Sequence, residues 1–98
     1  MRFEFADDRL EDLYYNTNAR SKLPPEAIRG FRKKMQLIAA AVDERDIYNV
    51  GGARLEKLSG DREGQFSVRL NKQWRLILQF RKDEEGNIVV ILDIVDYH

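Results

Sequence analysis

The chain reads as one α+β domain spanning residues 1–98, a small antiparallel sheet of about four strands with two to three N-terminal helices on one face. Three observations predict this. Apolar residues recur at helical spacing in the first half, the period becomes two from Arg54 onward, and 98 residues suffice for one modest core but not for two. Helices followed by strands, rather than alternating with them, favour segregated layers.

Arg2–Phe5 alternates polar and apolar, which suits a short strand with Phe3 and Phe5 on one face. Asp7 or Asp8 is placed to cap a helix running through Asn16, with Leu10, Leu13 and Tyr14 at helical spacing. Pro24 and Pro25 suit the start of the next helix, since a proline there sacrifices no hydrogen bond. After them Ile28, Phe31, Met35, Ile38 and Val42 form one stripe expected to be buried, while Arg29, Arg32, Lys33 and Lys34 occupy the other face. Residues 43–49 read as one further turn, stopped by Gly51 and Gly52.

In the second half, Leu55 and Leu58 bracket a short strand and residues 60–64 form a charged turn. Phe66, Val68 and Leu70 then alternate with Ser67 and Arg69, and Trp74, Leu76, Leu78 and Phe80 alternate with Arg75, Ile77 and Gln79. Because the two runs share parity, an odd loop of residues 71–73 joins them, which sets Arg69 across from Arg75. Glu84 and Glu85 belong to a hairpin loop, and residues 88–95, apolar on both faces except at Asp93, read as a central strand.

Seventeen basic residues balance seventeen acidic ones. The balance hides blocks: residues 1–19 carry −3, 20–42 carry +5, 43–53 carry −2, 54–82 carry +5 and 83–98 carry −5. Local clusters, not the total, set the field a polyanion meets within a Debye length of ~10 Å. With no cysteine and one histidine, disulfides, thiolate chemistry and the usual zinc ligand sets are excluded, and no cofactor is expected. No nucleophile elbow, phosphate-binding glycine loop or dinucleotide fingerprint is present. Apolar runs are too short to span a bilayer and no secretory leader is evident, so a cytoplasmic location without membrane partners is expected.

Like charges directly opposite on paired strands destabilise, so Arg69 facing Arg75 invites a reason. Two are open: a bound phosphate, to which Arg62 from the charged turn would add a third guanidinium, or an ion pair between Arg75 and Asp93 with Arg69 turned to solvent. The closing Asp96, Tyr97 and His98 are the only place where a carboxylate, a phenol and an imidazole fall together. Such groups move protons near neutral pH. RNA cleavage needs little else beyond cations for the charged phosphorane, and no metal.

The series 54–64 (RLEKLSGDREG), FSVR at 66–69, QWR at 73–75 and the terminal VDYH resembles the HigB toxins of the RelE/ParE superfamily, over nearly the whole chain. The resemblance implies a microbial-RNase-like fold, cleavage of mRNA in the ribosomal A site, and neutralisation by a helix-turn-helix antitoxin of the HigA type. Carried over by position, Arg75 would stabilise the scissile phosphate, and Asp96, Tyr97 and His98 would supply proton transfer and base stacking. Arg54, Lys57, Arg62, Arg69 and Lys72 would contact the RNA backbone. Where many relatives read RLHPLKG, this chain has Glu56 for the histidine, Lys57 for the proline and Ser59 for the lysine. Glu56 becomes a candidate base and Lys57 a replacement cation, and a milder toxin is expected. Tyr14, Tyr15 and Tyr48 are candidate antitoxin contacts, with core packing as their alternative role, and the basic helix face is a candidate for ribosomal RNA. A non-catalytic binder on the same fold, either a gyrase-blocking toxin or an inert partner of its antitoxin, is the competing reading.

Overall fold

The structure, a computed structural model, describes residues 1–48 and 55–96. Expectations placed on Gly51, Gly52, Arg54, Tyr97 and His98 therefore lie outside the described residues. Strand β1 (Arg2–Phe5) leads into helices α1 (Asp8–Tyr15), α2 (Pro25–Ala40) and α3 (Glu44–Tyr48), followed by strands β2 (Glu56–Lys57), β3 (Phe66–Arg69), β4 (Trp74–Asp83) and β5 (Gly86–Asp96). A 3₁₀ turn over Gly60–Arg62 separates β2 from β3.

The sheet has five strands in the order β1-β5-β4-β3-β2, so the expected four-stranded antiparallel sheet is corrected to a mixed one. Three neighbouring pairs are antiparallel, while β1 runs parallel to β5 from Arg2 opposite Ile88 to Phe5 opposite Ile91. A parallel pair needs a long crossover, which the helical segment and the rest of the sheet supply.

Local chemistry explains each helix boundary. The Asp7 side chain accepts from the Arg9 amide at 2.8 Å and closes the start of α1. Pro24 and Pro25 open α2 as expected. At its far end Ala41 is extended (φ −67°, ψ 143°), so Val42 leaves the helix and stands 85% exposed instead of continuing the buried stripe. The buried residues of α2 are Ala27, Phe31, Met35 and Ile38, with Ile28 only partly covered. Phe31, Met35 and Ile38 pack with Leu10 and Leu13 of α1 against Val68, Leu70, Leu76, Leu78, Val89 and Ile91 of one sheet face. Phe3, Phe5 and Tyr14 add edge-on ring contacts at the margin.

Arg32 is committed to this packing. Its Nε donates to the Leu13 carbonyl at 3.0 Å and its Nη2 to that of Asn16 at 3.2 Å, tying α2 to the end of α1. It is thereby removed from the expected RNA-facing set on α2. Among the described residues no helix is long and apolar enough to cross a membrane.

Candidate functional site

The helices cover one face of the sheet, and the basic residues gather on the other. Register decides which side chains share it. Ser67 pairs with Ile77, Arg69 with Arg75, Arg75 with Val95 and Ile77 with Asp93, so Arg69, Arg75, Ile77 and Asp93 all emerge opposite the helices. Ser67, Ile77 and Val90 are nonetheless buried there, at 3%, 2% and 3% exposure. Arg62, before β3, reaches Asp93 on β5 at 3.7 Å, and Arg81 on β4 bonds Glu4 on β1 across β5.

The β3–β4 turn organises the middle of this face. Asn71 Oδ1 accepts from the backbone amides of Gln73 at 2.9 Å and Trp74 at 2.7 Å, an arrangement to which asparagine is suited. The Leu70 amide donates to the Trp74 carbonyl at 2.9 Å and completes the hairpin. Arg69 Nε at 3.3 Å and Arg75 Nη1 at 2.9 Å both donate to the Asn71 carbonyl oxygen, and Arg75 Nη1 also reaches the Trp74 carbonyl at 3.2 Å. Arg69 therefore does not turn away to solvent, and the ion pair on Asp93 is made by Arg62, not by Arg75 as the alternative required.

Several other expected site residues are placed by the same register. Glu56 is opposite Ser67, on the arginine face and exposed. Lys57, expected as a replacement cation, is opposite Phe66 and so emerges on the helix side, off the face that carries Glu56 and Arg75. Lys72 is exposed at the tip of the β3–β4 turn. Arg62 donates to Gln65 Oε1 at 3.1 Å besides facing Asp93. Asp96 lies opposite Trp74, one residue beyond the Arg75–Val95 pair, and its Oδ2 accepts from Gln73 Nε2 at 3.0 Å. The pleat thus sends Arg75 and Asp96 off opposite faces at the very end of the sheet, with the turn between them. Asn71, Gln73 and Asp93 were not singled out as site residues. For Asn71 the signal was available, an asparagine in an odd hairpin loop flanked by two facing arginines.

Of the candidate antitoxin contacts, Tyr14 packs against Phe3 and Phe5, whereas Tyr15 and Tyr48 are 66% and 50% exposed. A separate concavity of about 640 Å³ lies beside α1, lined by Leu10, Leu13, Arg20, Lys22 and Ile94, and it shares Asp93 with the arginine face. At its rim the Arg9 guanidinium hydrogen-bonds Asp7 and holds that carboxyl below its ordinary range.

A five-stranded mixed sheet backed by three helices is the fold of YoeB/ParE-type toxins. A solved YoeB/ParE toxin from Agrobacterium tumefaciens superposes over 100% of both chains with a TM-score of 0.63 at 18% identity, a likeness of fold alone. The family model described as the RelE-like toxin HigB of type II toxin-antitoxin systems matches residues 3–98, and the chain belongs to this family of HigB-like toxins. Toxin HigB-1 of Vibrio cholerae is 35% identical over 80 residues, covering 82% of this chain and 84% of that one. A protein named Endoribonuclease HigB, from Proteus vulgaris, is 29% identical over 90 residues, covering 88% of each.

Proposed function

We propose that this toxin is a metal-independent endoribonuclease that cleaves mRNA on the ribosome, in the cytoplasm, and is silenced by a HigA-type helix-turn-helix antitoxin. The observation that carries the reading is the pair Arg69 and Arg75, brought onto one carbonyl oxygen on the sheet face opposite the described helices. The shared oxygen turns both guanidinium groups to the same place, where the two forks suit the oxygens of a phosphate. The name of the Proteus relative supports ribonuclease chemistry.

In this reading Arg75 stabilises the phosphorane as negative charge builds on its oxygens. Arg62, Arg69, Lys72 and Arg54 hold the backbone on either side. Tyr97 and His98 handle protons, one accepting the proton of the attacking 2′-hydroxyl and the other supplying one to the leaving 5′-oxygen, while Asp96, sent off the opposite face and held by Gln73, anchors the segment that carries them. Glu56, exposed on the arginine face, is a second candidate base. The absence of a histidine and a lysine at positions 56 and 59 leaves fewer proton-transfer groups and cations, which favours a mild toxin.

Expression of the chain without its antitoxin should arrest growth, and Arg75→Ala or truncation before Asp96 should each relieve the arrest at equal protein level. Primer extension on cellular mRNA should show cuts inside translated codons. Arrest without such cuts, accompanied by loss of DNA supercoiling, would replace this reading with a gyrase-blocking one.

A further inference from the structure

We infer that Asn71 is the positioning residue of the arginine site and that Gln73 extends its control to the C-terminal segment. The inference rests on the ribonuclease reading above and adds to it the device that aims the charged groups. Asn71 Oδ1 collects the amides of Gln73 and Trp74 and so fixes the turn. The fixed turn directs the Asn71 carbonyl at Arg69 Nε and Arg75 Nη1, two groups whose like charges would otherwise drive them apart. In the same turn Gln73 presents its side-chain amide to the Asp96 carboxylate at 3.0 Å. Five residues, from Leu70 to Trp74, thus set the arginine pair on one side and the last strand residue on the other.

The Asn71 carbonyl serves both guanidinium groups at once, so the turn that aims this oxygen also sets the orientation of each relative to the other. Asn71 touches no reacting atom in this scheme, so its loss should leave binding largely intact and degrade alignment, where a displacement of ~1 Å costs about 10²-fold in rate.

The test uses single-turnover cleavage of mRNA on programmed ribosomes, with the rate at saturating toxin separated from the half-saturating concentration. Asn71→Ala should lower the saturating rate by about 30-fold or more and move half-saturation by less than ~3-fold. Asn71→Ser, which restores a weaker oxygen acceptor for the turn amides without adding a charge, should recover part of the rate. Gln73→Ala should lower the rate to a smaller degree. In ¹⁵N spectra of the arginine side chains, the Arg69 Nε–H resonance should shift in Asn71→Ala and move back toward the parent in Asn71→Ser. If Asn71→Ala loses its cooperative melting transition, Asn71→Gly removes the same oxygen in a turn-tolerant residue and carries the same expectation.

A folded Asn71→Ala or Asn71→Gly enzyme cutting within twofold of the parent would overturn the inference. So would an Asn71→Ser enzyme that folds and stays as slow as the alanine variant. Arg75→Ala serves as the separate control: if it too cuts at the parental rate, the ribonuclease assignment of this face fails, whereas an inactive Arg75→Ala beside a normal Asn71→Ala removes the positioning role alone.

Discussion

Arg69 and Arg75 stand directly opposite one another on β3 and β4, and both donate to the carbonyl oxygen of Asn71. Two cations on one neutral acceptor are separated by no more than two hydrogen bonds laid end to end. Two oriented guanidinium forks side by side suit the oxygens of a single phosphate, and the proposed ribonuclease reading places the scissile phosphate there.

The identity of the cation at position 75 should therefore matter beyond its charge. Arg75→Lys keeps a positive group but lacks the planar fork that meets two phosphate oxygens at once. Cleavage of ribosome-bound mRNA should fall by about 10²-fold, the scale of losing one oriented donor to a developing oxyanion. A lysine enzyme within threefold of the parent would show that Arg75 acts only as a diffuse charge.

Gly30 makes a prediction about the fold that holds this pair in place. A Cβ built on it would lie 2.6 Å from the Leu70 carbonyl oxygen, so α2 rests against the backbone at the start of the β3–β4 turn. Alanine improves helix propensity by about 1 kcal/mol, but overpacking against an immovable backbone costs roughly 1–3 kcal/mol and should prevail. Gly30→Ala should lower stability in urea by about 1–2 kcal/mol. A more stable variant would mean that α2 can slide off Leu70 without penalty.

Much of this geometry was legible in the chain, and the exceptions have physical causes. Shared parity of the two apolar runs around an odd loop suffices to oppose Arg69 and Arg75, because strand periodicity admits no other register that buries both. Val42 was misplaced because nothing in the Ala39–Ala40–Ala41 run signals where the helix stops, all three being good helix formers. The parallel pairing of β1 with β5 joins the two ends of the chain, and no local pattern encodes so distant a partner. The reach of Arg62 to Asp93 depends on where the turn before β3 sits and on the path of one long side chain, neither of which a local pattern encodes. Lys57 was decidable in principle, since adjacent strand residues face opposite ways and Glu56 and Lys57 cannot share a face.

The far end of the sheet should give the molecule an acid-sensitive fastening. Asp83 closes the β4–β5 hairpin, accepting from Arg2 of β1 at 2.6 Å and from the Glu85 amide at 2.9 Å. The Arg2 hydrogen bond, helped by that amide, brings its carboxyl from an ordinary 3.8 to about 2. A carboxyl held low when folded binds its proton less readily there than in the unfolded chain. Its contribution is therefore complete above about pH 4 and disappears as the pH falls toward 2. Melting temperatures of the parent and of Asp83→Asn should differ at pH 6 and converge across that interval. A constant gap down to pH 2 would place the group elsewhere in the titration.

Asp93, on the arginine face, has a guanidinium partner in Arg62 at 3.7 Å. Both side chains are about half exposed, at 41% and 54%, so the pair contributes little to stability, at most about 1 kcal/mol. Its larger effect is on the field. An arriving phosphate must compete with Asp93 for Arg62, and the acid repels the same phosphate directly. Asp93→Asn removes both obstacles while keeping a hydrogen-bonding side chain at the position. Affinity for single-stranded RNA should rise several-fold at low salt, with a steeper decline as salt is added because one more cation is available for counterion release. Arg62→Ala should erase that gain when combined with Asp93→Asn. If Asp93→Asn binds RNA no better than the parent at low salt, Arg62 takes no part in holding the backbone, and the contact surface narrows to the pair on Asn71.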